Sequence, residues 1–145
     1  MSGLKKWMRT LTFVAGAGTA MLGLLLTAGN ATTPVPVPSG HELFVEYCSQ
    51  CHGADGVGNG PTAKYLTVTP ANLTEISKRA NGQFPAARIA EIIRYGGDVA
   101  SHGPQRMPLW GKVFSEKGGR GKGGGNYSRV AVIQLLKYLE SIQKK

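Results

Sequence analysis

The 145-residue sequence predicts an all-α fold of about three main helices and long loops, and three observations carry that reading. Apolar residues recur at three- and four-residue steps in three separate segments, the period of a helix face. No segment of useful length alternates apolar and polar residues as a half-buried strand does. The helical segments are separated by glycine- and proline-rich connections, 53–74, 97–111 and 117–125. Loops of that length in a small domain are functional or are wrapped around something.

The chain opens with Lys5, Lys6 and Arg9 and then carries no charge until Glu42. Residues 11–28 are apolar or small, with Leu22, Leu24, Leu25 and Leu26 dense near the end, and Gly29 and Ala31 follow. A basic start, an apolar middle and a small-residue exit are the parts of a secretory signal peptide, so residues 1–31 are read as an export signal cleaved after about Ala31. An uncleaved anchor is the alternative, since 11–28 just spans a thin bilayer, although Gly16, Gly18 and Gly23 weaken the span. Residues 32–39, TTPVPVPS, form a stiff Pro-rich linker, because proline removes amide donors and favours extended backbone. Residues 40–145 are then the folded domain.

The first helix is expected over residues 40–50, with Leu43, Phe44, Tyr47, Cys48 and Cys51 on one face. Ser39 and Glu42 have the spacing of a capping box. The second is expected over 86–95, opened near Pro85, striped by Ile89, Ile92 and Ile93, and stopped by Gly96-Gly97. The third is expected over 128–143, with Val132, Leu135, Leu136, Leu139 and Ile142 buried. Residues 117–125 are so rich in glycine that they predict a mobile surface loop.

The formal charge is +9, and +6 remains (14 basic, 8 acidic residues) once Lys5, Lys6 and Arg9 are removed with the leader. A basic surface suits acidic partners or anionic membrane. Nucleic acid is excluded as a partner because the charges are scattered and the leader directs export. Lys117, Arg120 and Lys122 put three positive charges on the glycine-rich stretch. They predict either a solvated spacer or a tether that steers an acidic partner.

The chain has two cysteines, in Cys48-Ser49-Gln50-Cys51-His52. C-x-x-C-H is the attachment pattern of a covalent c-type haem. Two thiols one helical turn apart face one edge of the porphyrin and add to its vinyl groups, and the next residue, His52, reaches the iron. A thioredoxin-like dithiol would need a preceding strand in a βαβ unit. Structural zinc needs four ligands, and His41 with Cys48, Cys51 and His52 fits no familiar spacing. A disulfide needs no histidine. A domain this short is also poor in core of its own, which a large apolar cofactor would fill.

Iron requires a second axial ligand. Met1, Met8 and Met21 lie in the leader, which leaves Met107 in Arg106-Met107-Pro108-Leu109-Trp110-Gly111. Pro108 stiffens this loop and Gly111 permits a tight exit. A methionine as plain core filler is the bland reading. His102 is the rival ligand and would give a lower potential, while Met/His pairing is the electron-transfer arrangement.

From Gly40 onward the chain resembles the class I c-type cytochromes, in particular bacterial periplasmic mono-haem members. The resemblance is carried by Gly40-x-x-Leu43-Phe44-x-x-x-Cys48-x-x-Cys51-His52-Gly53, by Met107-Pro108-x-Trp110-Gly111 and by Tyr138-Leu139. It implies a cytochrome c fold in which the first and last helices cross at Gly40. It also implies that a loop proline, here Pro61, offers its carbonyl to the proximal histidine, which raises ligand basicity and fixes the ring. Residues 117–125 depart from the compact family pattern.

The function expected is therefore one-electron transfer in the periplasm by one haem c held by Cys48, Cys51, His52 and Met107, without enzymatic turnover. The expected partners are redox proteins with acidic docking surfaces. The chain is expected to be monomeric, with membrane contact only through a retained leader. The alternatives are a redox subunit tethered to a membrane complex, and a haem enzyme or sensor with an exchangeable distal ligand beside His102 or Arg106.

Overall fold

A computed structural model describes residues 35–96 and 107–144, all within the unit Thr32–Lys145. The expected export signal, and with it His102 and Arg106, lies outside the described residues. Among the described residues the regular structure is helical throughout, as the sequence predicts: six α-helices, two short 3₁₀ turns and no strand. None of these helices is long and apolar enough to cross a membrane.

Helix α1 (Gly40–Tyr47) opens on the expected capping box. The Glu42 amide donates to Ser39 Oγ at 3.3 Å, and the Ser39 amide donates to Glu42 Oε2 at 2.8 Å, so two of the orphan amides at the helix start are satisfied. Leu43 and Phe44 are fully buried. The expected helix over 40–50 divides at Cys48. Helix α2 (Ser49–His52) follows and stops at Gly53, whose φ of +79° an L-residue rarely adopts.

A loop then folds back beneath α2. The amides of Thr62, Gly60 and Gly58 donate to the carbonyls of Gln50, Cys51 and His52 at 3.0, 3.1 and 2.8 Å. Three carbonyls that end a short helix are thus capped by one segment. Asn72 caps a 3₁₀ turn through the Thr74 amide at 3.0 Å, and helix α3 (Ile76–Arg79) follows. Helix α4 (Ala86–Tyr95) has the bounds expected, and Gly96 ends it in the left-handed conformation with its amide on the Ile92 carbonyl.

Two findings differ from expectation. Helix α5 (Trp110–Lys117) forms where no helix was expected, between and overlapping the connections 97–111 and 117–125, and helix α6 (Lys122–Ser141) begins at Lys122 rather than Ser128. The predicted mobile loop over 117–125 therefore shrinks to the turn 118–121. Packing overrides the poor helix propensity of glycine here. A Cβ on Gly118 would strike the side chain of Tyr127, and one on Gly124 would strike the carbonyl oxygens of Ser115 and Gly119. The basic tether is also corrected. Lys117 ends α5 and is bonded to α1, Lys122 begins α6, and of the three charges Arg120 alone sits in the turn.

α1, α5 and α6 enclose the core of Leu43, Phe44, Phe114, Val132 and Leu135. α1 crosses α6 where Gly40 meets Gln134 and Tyr138, with no room for a Cβ, as the resemblance implied. Val37 also packs on this core, so the linker docks before the domain start expected at residue 40. Past α6, Gln143 and Lys144 bind back to the loop. Gln143 Nε2 donates to the Leu73 carbonyl at 2.7 Å, Ser77 donates its amide to Gln143 Oε1 at 2.8 Å, and the Lys144 amide meets the Thr74 carbonyl at 2.8 Å.

Candidate cofactor site

α2, the loop beneath it, α4 and the start of α5 enclose a cavity of about 520 Å³. Cys48, Cys51, His52 and Met107 all line it, so the four residues singled out in sequence come together. The remaining walls are mostly aliphatic and aromatic. Leu73, Ile89, Ile92 and Ile93 contribute, with Tyr47 and Trp110 on the α1 and α5 sides. The isoleucine stripe of α4 thus faces both the core and this cavity.

His52 is buried, and its Nδ1 lies 3.0 Å from the carbonyl oxygen of Ala71. A carbonyl only accepts, so Nδ1 carries the hydrogen and the lone pair is left on Nε2, the tautomer of a metal-binding imidazole. The expectation for Pro61 is corrected: the acceptor is Ala71. The stretch around Pro61 serves α2 instead. Beside the exposed Pro61, Thr62 Oγ1 donates to the Gln50 carbonyl at 2.6 Å and stands 3.3 Å from Cys51 Sγ.

Both cysteines are free thiols. Burial, with Cys51 beside it, pushes the Cys48 thiol up to about 12. A dithiol that works by nucleophilic exchange needs the opposite shift, since the thiolate is the reactive form. No group of three His, Cys, Asp or Glu side chains is placed to hold a metal among the described residues. The donor set instead fits a porphyrin attached through thioethers: two thiols and an imidazole on one short segment, a thioether from another, and apolar walls between.

Met107 is half-buried and packs against the hydrophobic core as well as lining the cavity. Gly111, four residues on, approaches the Arg94 backbone too closely for a Cβ of its own, and its carbonyl accepts from the hydroxyls of Ser115 at 2.9 Å and Ser128 at 3.0 Å. The Met107 segment is therefore held between α4 and α6.

Sequence reasoning missed three contributors. Ala71 is a long-range partner with no local signal. Among the described residues, Arg79 is the one with a fixed charge on the cavity lining, and its Nη2 donates to the Asn72 carbonyl at 2.8 Å. Tyr47 borders both the cavity and the Lys117 ion pair, and its place directly before Cys48 was the available signal.

Residues 35–118 match the family model described as cytochrome C oxidase, cbb3-type, subunit III. No curated protein and no solved structure matches the chain.

Proposed function

Because the chain belongs to the c-type cytochromes of the cytochrome C oxidase, cbb3-type, subunit III family, we propose that it is a one-electron carrier with a single covalent haem c. Cys48 and Cys51 would hold it through thioethers, and His52 and Met107 would supply the two protein ligands of its iron. The observation that carries the reading is that these four side chains line one apolar cavity.

Bound haem supplies an iron that changes by one electron between ferrous and ferric states. Everything else falls to the chain. The Ala71 carbonyl, at His52 Nδ1, keeps the imidazole oriented and raises its basicity. Met107 is a weaker donor than a second histidine and sets a higher potential. The aliphatic wall from α4 excludes water, and Arg79 offers a fixed positive charge to the group's carboxylates. With both axial positions filled by the chain, no substrate needs to bind.

Cytochrome c domains are generally exported, which supports a periplasmic carrier with residues 1–31 as its export signal. The net positive charge beyond the leader favours partners with acidic docking faces. Pro108 and Leu109, exposed beside Met107, give such a partner an apolar contact at the cavity mouth. The family's description as an oxidase subunit favours a second reading, a redox subunit held in a membrane complex. N-terminal sequencing of the mature protein separates the two: retention of Met1 in a membrane fraction selects the subunit.

Denaturing mass spectrometry should give a mass one haem above the polypeptide. The ferric spectrum should carry a sulfur-to-iron charge-transfer band and respond slowly to cyanide. Met107→Ala should abolish the band, lower the potential and open the iron to cyanide. An unchanged Met107→Ala spectrum would remove Met107 from the iron and promote His102. A high-spin parent that binds cyanide at once would favour the enzyme or sensor.

A further inference from the structure

Lys117 is exposed and was read in sequence as a free charge, yet it is the most engaged lysine of the described residues. Its Nζ donates to Glu46 Oε1 at 2.9 Å and to Tyr47 Oη at 2.6 Å. Glu46 and Tyr47 are the last two residues of α1, and Lys117 is the last of α5. One ammonium therefore joins the C-terminal ends of two helices, where positive charge also complements the helix dipoles.

The phenol held by Lys117 is the outer tip of an aromatic cluster. The Tyr47 ring stands edge-on to Trp110 and to Phe114, each at 5.2 Å between centroids, and Trp110 stacks on Phe114 at 6.2 Å. Phe114 is fully buried and anchors the group in the core. Tyr47 and Trp110 are its cavity-lining members. Tyr47 directly precedes Cys48, and Trp110 lies three residues after Met107. The circuit from the attachment segment to the distal methionine is thus closed at its far end by a hydrogen bond from Lys117.

An exposed ion pair of this kind contributes little to global stability. Its leverage is local. Without the Nζ bond, Tyr47 retains its ring contacts and the Glu46 carboxylate beside its hydroxyl, but it loses the ammonium donor at its tip, and the edge it offers Trp110 is held less firmly.

We propose that Lys117 is a positioning residue for the distal ligand: by holding Tyr47 Oη it fixes the Tyr47–Trp110 contact and so restrains the segment that presents Met107. This rests on the reading of Met107 as the sixth ligand.

The test uses ferric holoprotein and imidazole as an external ligand, with the association rate measured by stopped flow and the charge-transfer band recorded alongside. Lys117→Gln should speed imidazole binding roughly tenfold, the scale of one hydrogen bond to a charged group, and weaken the band, while the denaturation midpoint hardly moves. Lys117→Arg, which keeps charge and donors, should restore the parent rate. Tyr47→Phe, which keeps the ring and loses the hydroxyl, should match Lys117→Gln, and the double variant should be no faster than either. A parent-like rate in Lys117→Gln overturns the inference. So does full additivity of the two changes, because Lys117 would then act by a route other than Tyr47. Failure of the underlying reading shows separately, as a parent protein without the sulfur-to-iron band, and overturns the inference with its premise.

Discussion

In residues 53–60, Gly53, Gly56 and Gly58 hold φ of +79°, +76° and +92°, and the turn they make caps the carbonyls of α2. In residues 118–125, Gly124 lies within α6 and needs no unusual dihedral. What it requires is the absence of a side chain, because the Ser115 and Gly119 carbonyls of the preceding helix and turn occupy that space. The two stretches look alike as composition. In the first, positive φ shapes the whole turn; in the second, Gly119 and Gly121 do this in the turn, while Gly118 and Gly124 supply the missing Cβ where the helices meet. The difference decides whether a glycine-rich segment is a loop or a tight helix crossing.

The largest test of that contrast is Gly124→Ala. A Cβ there meets backbone, which cannot yield, so denaturant unfolding of the holoprotein should show a loss of about 2–3 kcal/mol, with the haem spectrum little changed. A loss near zero would mean that α5 and α6 are not in close contact and would return 117–125 to a loop.

Gly58→Ala should cost a similar amount, about 2–3 kcal/mol from left-handed strain together with the backbone clash of its Cβ, but its signature should differ in kind. Its Cβ would strike the Pro70 carbonyl, next to the Ala71 carbonyl that holds His52. The midpoint potential should therefore shift along with stability. Equal potentials for variant and parent would uncouple the loop from the histidine.

Gly125→Ala sharpens the comparison from the other side. This glycine is helical, exposed and has open space around its absent Cβ. Alanine should raise stability by about 0.5–1 kcal/mol through helix propensity alone. Opposite signs at positions 124 and 125 would separate close packing from propensity within one helical turn.

The smallest effect is on acidification. The Lys117 hydrogen bond, with a further one from Tyr47, holds the Glu46 carboxyl below its ordinary value. The contribution of the pair is complete above the unfolded carboxyl value of about 4.3 and is lost as pH falls through the lowered folded value. For so exposed a pair it amounts to less than about 1 kcal/mol. Stability measured from neutral pH down through this range should show a step that Glu46→Gln removes, and a step unaltered by that change would assign it to another carboxyl.

What was legible in the sequence was local. α4 has its expected ends because the apolar stripe and Gly96 agree, and the Ser39–Glu42 box marks the start of α1 without help from tertiary contacts. The C-x-x-C-H spacing was enough to find one side of the cavity. α5 was missed although Trp110, Val113 and Phe114 stand at helical spacing, because the neighbouring proline and glycines read as loop. The early start of α6 was hidden for a related reason: glycine propensity is a local property, whereas the clash it avoids lies across the turn. Ala71 was not legible at all, since its role belongs to a backbone carbonyl and its side chain carries no signal.

The bonds from Gln143 and Lys144 to residues 73–77 set an order of assembly. The C-x-x-C-H segment and its capping loop have their partners within a short stretch of chain. The segment that follows Ala71 is pinned by residues about seventy positions later and must wait until α6 has been synthesised. The loop beside Ala71 therefore depends on contacts of long sequence separation, so it should form later and open earlier than the capping of α2.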